Sequence, residues 1–264
     1  MGARLTRRLA AMRTLPTLLT ALALCLGTLT PALARELTIG FGVDKPPFVF
    51  GHDGRGLEID IMRAALAFKG HTLKIVHVSN RRLQIGIKSM GLDGVATVRE
   101  TADGTHYSDN FITFENYAIT RKESGIEIRS VADLRAEGRT VVAWQNAYRD
   151  LGPECEALFD PTSIDPPNRV MYTELPSQRS QNVMFWMGRA DVIIVDKTIF
   201  LFYKRELGKE MDTSSEPVFH EIFPKRTHFQ AAFKERKIRD DFNDGLRYLR
   251  SSGAYQLFYD QYIK

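Results

Sequence analysis

The chain has 264 residues, with 36 Lys and Arg against 32 Asp and Glu, and a formal net charge of +4. Four arginines and no acids lie in residues 1–34, so this segment accounts for the excess charge and for the isoelectric point of about 9.0. The remaining residues carry 32 cations and 32 anions. This balance gives no composition-based case for a nucleic-acid partner or an anionic membrane surface.

Residues 1–34 have the pattern of a cleaved secretory signal. A basic start leads into an apolar run from Leu15 to Leu29, and Ala32-Leu33-Ala34 is a small-x-small cleavage site. A transmembrane anchor is the alternative, but the run is short for a bilayer. We therefore expect the mature chain to begin near Arg35. Cys155 is then its one cysteine, which excludes an internal disulfide and predicts a buried or inert thiol.

The stretch from Lys45 to Gly70 predicts a corner between a strand and a helix. Leu37 to Gly42 is predicted to be a strand, and Pro46-Pro47 ends it because proline fixes φ and lacks an N–H donor. Apolar residues at helical spacing from Leu57 to Phe68 predict a helix, with Gly70 at its C-cap. The corner therefore lies at the carboxyl end of a strand, where open α/β sheets bind ligands.

Strands and helices alternate in the next part of the chain. We predict a strand over 72–78, a helix over 81–90, a strand over 94–98, a loop to Asp109 and a strand over 114–120. This order predicts a parallel sheet with helices on both faces.

A second unit of the same kind begins after a polar stretch at 121–125. Its predicted strands and helices are a strand over 140–144, a helix over 147–158, a strand over 170–174, a helix over 177–187, a strand over 192–195 and a helix over 197–207. A proline-containing loop is expected over 159–168. Residues 216–233 are strand-like again, and 239–264 predict two helices with apolar stripes.

These units predict an α/β chain of two lobes. Each lobe is expected to hold an open sheet flanked by helices, and two crossing strands form a hinge. The first lobe covers 35–121, the second lobe covers 122–215, and 216–264 return to the first lobe. The sequence before residue 35 is the predicted signal peptide.

Seven short motifs occur in an order that matches a known family. They are the strand-to-Pro-Pro-Phe corner Ile39–Phe48, Gly56–Ile61, Leu92–Val95, Tyr107–Asp109, Val131–Leu134, Ala190–Asp196 and Ser252–Tyr255. In this order they resemble the bacterial extracellular solute-binding proteins of family 3, the periplasmic receptors of polar-amino-acid ABC importers. The resemblance covers nearly all of the predicted mature chain.

The resemblance implies a type II periplasmic-binding fold with a ligand in the cleft between the lobes. It implies a periplasmic, monomeric receptor without a cofactor or a metal. The implied partners are an amino acid or small organic acid and the membrane subunits of an ABC importer. Binding in this family closes the hinge.

The resemblance also implies which residues contact the ligand. Asp196 matches the family's ammonium-binding acid, and the alternative role for it is the N-cap of the next helix. Arg99 is the substitute for the family's carboxylate-binding arginine, because a guanidinium binds a carboxylate in a bidentate way. The alternative for Arg99 is a solvated loop arginine, in which case Arg81 and Arg82 are the next candidates.

The other predicted contacts come from both lobes. In the second lobe, the turn Trp144, Asn146, Ala147 and Tyr148 stands where the family has a Gly-Thr-Thr turn that holds the ligand carboxylate at a helix start. In the first lobe, the predicted contacts are Asp44, Lys45, Phe48 and Thr97. Core packing is the alternative for each aromatic residue. The cations Lys45 and Arg99 suit an acidic or dicarboxylate ligand as well as a neutral amino acid.

We predict a solute-binding receptor, and two alternatives stay open. One is a dehydratase-like enzyme on the same scaffold, which needs a cleft acid such as Glu58, Glu100 or Glu174 as its general acid. The other is a stand-alone periplasmic sensor. The sequence contains no Ser-His-Asp order and no Gly-rich phosphate loop that would indicate another chemistry.

Overall fold

A computed structural model describes residues 34–83, 85–135, 138–162 and 172–263, and of residue 86 the backbone alone. The predicted signal peptide before residue 34 lies outside these described residues, and so do most of the predicted loop 159–168 and the start of the predicted strand 170–174. Within the described ranges, no helix combines the length and the apolar character needed to span a membrane.

The described strands and helices alternate through most of the chain. The strands are β1 (Glu36–Gly42), β2 (Thr72–Val78), β3 (Gly94–Val98), β4 (His106–Phe114), β5 (Asn116–Arg121), β6 (Val141–Trp144), β7 (Tyr172–Leu175), β8 (Val192–Asp196), β9 (Pro217–His220) and β10 (Thr227–Phe233). The α-helices are α1 (Leu57–Ala67), α2 (Asn80–Leu83), α3 (Gly86–Met90), α4 (Ala147–Asp150), α5 (Pro153–Phe159), α6 (Gln178–Trp186), α7 (Lys197–Leu207), α8 (Arg236–Ser251) and α9 (Ala254–Tyr262).

The strands form two five-stranded sheets. The first has the order β2-β1-β3-β10-β4, and the second has the order β7-β6-β8-β5-β9. In each sheet the three strands at one end of the order pair in parallel, and the other two pairings are antiparallel, so that β10 in the first sheet and β5 in the second run opposite to the other four strands. The predicted parallel arrangement thus holds for β1, β2 and β3 in the first sheet.

The buried strand β8 shows why these residues form a central strand. Its sequence is a run of branched apolar residues, as expected for a strand that is covered on both faces. Because side chains alternate along a strand, Ile193 and Val195 pack into one apolar cluster and Val192 and Ile194 pack into another. Both faces of the second sheet are therefore buried.

The chain passes between the sheets twice. Glu115 alone separates β4 in the first sheet from β5 in the second, and residues 221–226 separate β9 from β10. The sequence from 114 to 120 reads as one strand because neither Gly nor Pro interrupts it, so the crossing at Glu115 is not visible in the pattern. The lobe boundaries at 121/122 and 215/216 stay a prediction.

Three elements differ from the predicted ones. The predicted loop before Asp109 is wrong in its last residues, because β4 begins at His106 and pairs there with Phe233 of β10. The helix predicted over 81–90 is two short helices, α2 and α3. The helix predicted over 147–158 is interrupted at Gly152, which has a φ of 106°, so that α4 and α5 are separate.

Cys155 is free and buried among apolar side chains of the second sheet, as predicted. Burial raises the pKa of its thiol to about 12, since the thiolate loses its hydration there. The thiol therefore stays protonated at neutral pH and is a poor nucleophile.

The terminal helix α8 packs against α1 at Gly245. A Cβ added to Gly245 would lie 2.0 Å from the carbonyl oxygen of Ala65, which leaves no room for a methyl group. We expect Gly245→Ala to lower the free energy of unfolding by about 1–3 kcal/mol, although alanine favours a helix more than glycine does. Urea unfolding measures this change. Arg247→Ala, at an exposed position of the same helix, is the control and should change stability by less than about 1 kcal/mol. Equal losses of stability in the two variants would contradict the close packing of Gly245 against Ala65.

Candidate functional site

A cavity of about 50 Å³ lies between the two sheets. It is lined by Lys45, Asn80, Leu83, Thr97, Phe114, Asn116, Trp144, Gln145, Asn146, Asp150, Gln178, Asp196, Ile199 and Phe229. Thr97, Trp144 and Asp196 lie at the carboxyl ends of strands β3, β6 and β8. This is the edge at which open α/β sheets hold their ligands.

The first-sheet wall contains a buried ion pair. Lys45 Nζ lies 2.7 Å from Glu58 Oε1, and the two side chains are 7% and 0% exposed. Thr97 Oγ1 donates to the other carboxylate oxygen, Glu58 Oε2, at 2.5 Å. The Pro-Pro corner positions the lysine, because Lys45 N donates to Val49 O at 2.9 Å. The charge of Lys45 is therefore largely balanced within the wall.

Two residues of the cavity wall have a left-handed backbone without being glycine. Thr97 has a φ of 61° and Asn146 has a φ of 70°. For a β-branched residue such as threonine this conformation is a rare outlier, and it costs about 1–3 kcal/mol. Backbone strain of this kind concentrates at ligand sites, which supports the assignment of this cavity as the functional site.

Backbone amides at the start of α4 bind a carboxylate of the protein itself, that of Glu174. Glu174 on β7 accepts from the backbone amides of Asn146, at 2.8 Å, and Tyr148, at 3.3 Å. Tyr172 Oη donates to the same carboxylate at 2.9 Å. Two of the amides that the resemblance assigns to a ligand carboxylate, those of Asn146 and Tyr148, are thus bonded to Glu174.

Asp150 lies at the end of α4 and lines the cavity. Its Oδ2 accepts from Trp144 Nε1 at 3.2 Å. Loss of hydration raises the pKa of the Asp150 carboxyl to about 6, while the Trp144 hydrogen bond and the nearby Arg99 charge act in the opposite direction. Asp150 therefore changes its charge as the pH passes through about 6.

Asp196 joins the second-sheet wall to the crossing segment. Its Oδ1 accepts from the amides of Thr198 and Ile199 at 2.8 and 3.1 Å, so it is the N-cap of α7. Its Oδ2 accepts from the amide of Glu115 at 2.8 Å. Burial raises the pKa of Asp196 to about 6 despite these three donors. The predicted N-cap role is confirmed, and the predicted ligand contact stays a prediction.

Five predicted ligand residues line the cavity, namely Lys45, Thr97, Trp144, Asn146 and Asp196. Among the other five, Phe48 and Ala147 are buried in apolar clusters, as the alternative role for Phe48 expected. Tyr148 is also buried, and its hydroxyl accepts from Arg149 Nη2 at 3.0 Å. Asp44 is exposed and accepts from Gly51 N at 3.1 Å.

Arg99 lies outside this cavity. Its Nη1 donates to the carbonyl oxygens of Arg149 and Asp150, both at 3.0 Å, and it lines a neighbouring cleft of about 290 Å³. The guanidinium thus reaches from the end of β3 in the first sheet to α4 beside the second. Arg81, the next candidate, is exposed.

Four of the five amide side chains that line the cavity are not among the predicted ligand residues. These are Asn80, Asn116, Gln145 and Gln178. Asn116 lies inside the segment 114–120 that reads as one strand, so the sequence gives no signal that it lines a cavity. Asp150 was also missed, because it lies inside a segment that reads as continuous helix.

Neither a family model nor a curated protein sequence matches the chain. Solved structures do share its fold. ArtJ, the arginine-, lysine-, histidine-binding protein from Geobacillus stearothermophilus, has a TM-score of 0.67 at 15% identity, over 86% of this chain and 94% of that chain. A histidine kinase sensor domain with similarity to periplasmic binding proteins has a TM-score of 0.70 at 17% identity, over 87% and 96%.

A third structure with the same fold is the ancestral amino acid-binding protein AncCDT-1, a precursor of cyclohexadienyl dehydratase. Its TM-score is 0.67 at 17% identity, over 87% of this chain and 96% of that chain. The predicted α/β class with two open sheets, and the predicted resemblance to amino-acid-binding periplasmic proteins, are confirmed at the level of fold. At these identities the likeness concerns the fold alone.

Proposed function

We propose that this protein is a periplasmic receptor that captures a small polar solute between its two lobes and delivers it to an ABC importer. The observation that carries the proposal is the cavity itself, because its lining comes from both sheets and lies at their strand ends. In this proposal the signal peptide directs export, the receptor is a monomer, and the solute is an amino acid or small organic acid.

Contacts between the parts of the chain that carry the two sheets support closure by a hinge. Arg99 bonds to the carbonyls at the end of α4, and Tyr203 Oη on α7 lies 3.5 Å from Asp44 Oδ2 in the first-sheet corner. The Asp196 hydrogen bond to Glu115 N links the cavity wall to one crossing segment. A ligand that touches both walls favours the closed state by its differential affinity.

Calorimetric titration of refolded, ligand-free protein covering residues 35–264 tests this function. The titrants are amino acids, amines and organic acids, and each mixture is also analysed for products. We expect saturable heat with one titrant class and an unchanged titrant after incubation. Failure of every titrant to bind would contradict the receptor proposal.

The enzyme alternative retains one supporting observation. Asp150 has the raised pKa that a general acid needs, and it lines the cavity. Of the acids considered from sequence, Glu58 is paired with Lys45, Glu174 caps the turn before α4, and Glu100 lines only the neighbouring cleft. Product formation in the titrated mixture, lost in Asp150→Asn, would favour this alternative. The sensor alternative shares the same binding chemistry and differs in the membrane partner.

Arg99→Ala distinguishes two possible roles of Arg99, a contact that holds the lobes together and a direct bond to a ligand carboxylate. We expect the variant to weaken every ligand by a similar amount, about 1–3 kcal/mol, because it removes two charged hydrogen bonds that hold the lobes together. Calorimetry with an amino acid and with its amine analogue measures both affinities. Arg82→Ala, exposed on α2, is the control. A loss confined to ligands with a carboxylate would instead show that Arg99 binds that group.

A further inference from the structure

We propose that the cavity takes a small organic cation, a primary amine whose ammonium lies between Asp150 and Asp196, and that a carboxylate on the ligand is not required. This inference rests on the proposed receptor function and names its ligand class. It differs from the amino-acid recognition that the sequence resemblance implied, which needs a site for the ligand carboxylate.

The carboxylates of Asp150 and Asp196 in the second-sheet wall keep hydrogen-bond acceptor sites that the protein does not fill. A carboxylate offers about four lone-pair sites. The three amide donors to Asp196 leave one site, and Trp144 Nε1 alone donates to Asp150 and leaves three. An ammonium group has three N–H donors and no acceptor, so it matches these remaining sites.

Two amide side chains add unpaired acceptors. Gln145 and Gln178 line the cavity, and among the described residues the Oε1 atom of each is buried without a hydrogen-bond partner. Gln178 as a whole is 8% exposed. A buried unpaired acceptor costs about 1–3 kcal/mol, and this cost is relieved when a donor arrives with the ligand.

Several groups expected to bind a ligand carboxylate already have partners within the protein. Lys45 is paired with Glu58, the amides of Asn146 and Tyr148 are bonded to Glu174, and Arg99 Nη1 donates to main-chain carbonyls outside the cavity. A ligand carboxylate would compete with these bonds. It would also lie in the same cavity as the two aspartates, which repel it when ionised.

The charges that face the two aspartates fix the expected pH dependence. Arg99 and Arg149 lie near Asp150 and favour its ionised form, whereas Glu174 disfavours it. Asp196 faces backbone amides, with Glu115 as a weak opposing charge. Lys45 lies across the cavity in its pair with Glu58. Each aspartate ionises as the pH rises through about 6, so an amine is expected to bind more tightly at pH 7.5 than at pH 5.

The test uses pairs of titrants that differ in the carboxylate alone. Ethanolamine is compared with L-serine, cadaverine with L-lysine, and glutarate serves as an anion without an ammonium. Calorimetry on residues 35–264 is run at pH 5 and pH 7.5, with the unsubstituted protein and with Asp150→Asn. Asp160→Asn, directly after α5 and outside the cavity lining, is the control for the substitution.

We expect an amine to bind at least as tightly as its amino acid, at least ten-fold more tightly at pH 7.5 than at pH 5, and at least ten-fold more weakly to Asp150→Asn. Tighter binding of L-serine or L-lysine than of the paired amine, or binding of glutarate, would overturn the inference and leave the receptor function standing. Failure of every titrant to bind would overturn both. Product formation would overturn the receptor function alone.

Discussion

Glu58→Ala is expected to lower the free energy of unfolding by about 3–5 kcal/mol, because it leaves the Lys45 ammonium buried without a counter-charge. Glu58 is fully buried, and it also receives the hydroxyl hydrogen bond of Thr97 at 2.5 Å. Urea unfolding of residues 35–264, followed by circular dichroism, measures the change.

A double substitution is the matched control for this pair. Lys45→Met together with Glu58→Leu removes both charges and keeps comparable apolar volume, so we expect it to be far closer in stability to the unsubstituted protein than Glu58→Ala. If the double variant is as unstable as Glu58→Ala, the loss comes from packing, and the account of the buried charge is wrong.

Asp196→Asn is expected to weaken binding of an amine or an amino acid by about 2–5 kcal/mol, because it removes one charge of a buried, hydrogen-bonded ion pair. Asparagine keeps an oxygen for the amides of Thr198 and Ile199, so the cap of α7 survives in part. Calorimetry measures the affinity, and urea unfolding measures the separate cost to stability.

Asp191→Asn is the matched control for Asp196→Asn. Asp191 stands at the other end of the same strand, where its Oδ2 accepts from Thr140 N at 2.9 Å, and it does not line the cavity. We expect this variant to lose some stability and to keep its affinity. Equal losses of affinity in both variants would show that the effect passes through the sheet and not through a ligand contact.

The sequence predicts much of the fold because hydrophobic periodicity and turn residues are local signals. The strand β1, the Pro-Pro corner, the helix α1 and the buried strand β8 with its closing Asp196 all follow from such patterns. The crossing at Glu115 does not, since a strand can change its pairing partners without any change in its own sequence pattern.

The candidate site is less predictable for a related reason. Which side chains meet in the cavity depends on tertiary pairing, as with Gln178 on α6 and Asn80 on α2. The charge state of Lys45 depends on Glu58, thirteen positions further along the chain, and the amides before α4 are bonded to Glu174 from a neighbouring strand. These contacts change the expected ligand chemistry, although each residue type is visible in the sequence.

A distance between two spin labels tests most directly whether the two lobes close on a solute. Arg82→Cys on α2 and Glu154→Cys on α5 are exposed positions beside the first and second sheets, and buried Cys155 remains unlabelled. We expect the label-to-label distance to shorten and its distribution to narrow when the tightest calorimetric ligand saturates the protein. An unchanged distribution at saturation would contradict the account.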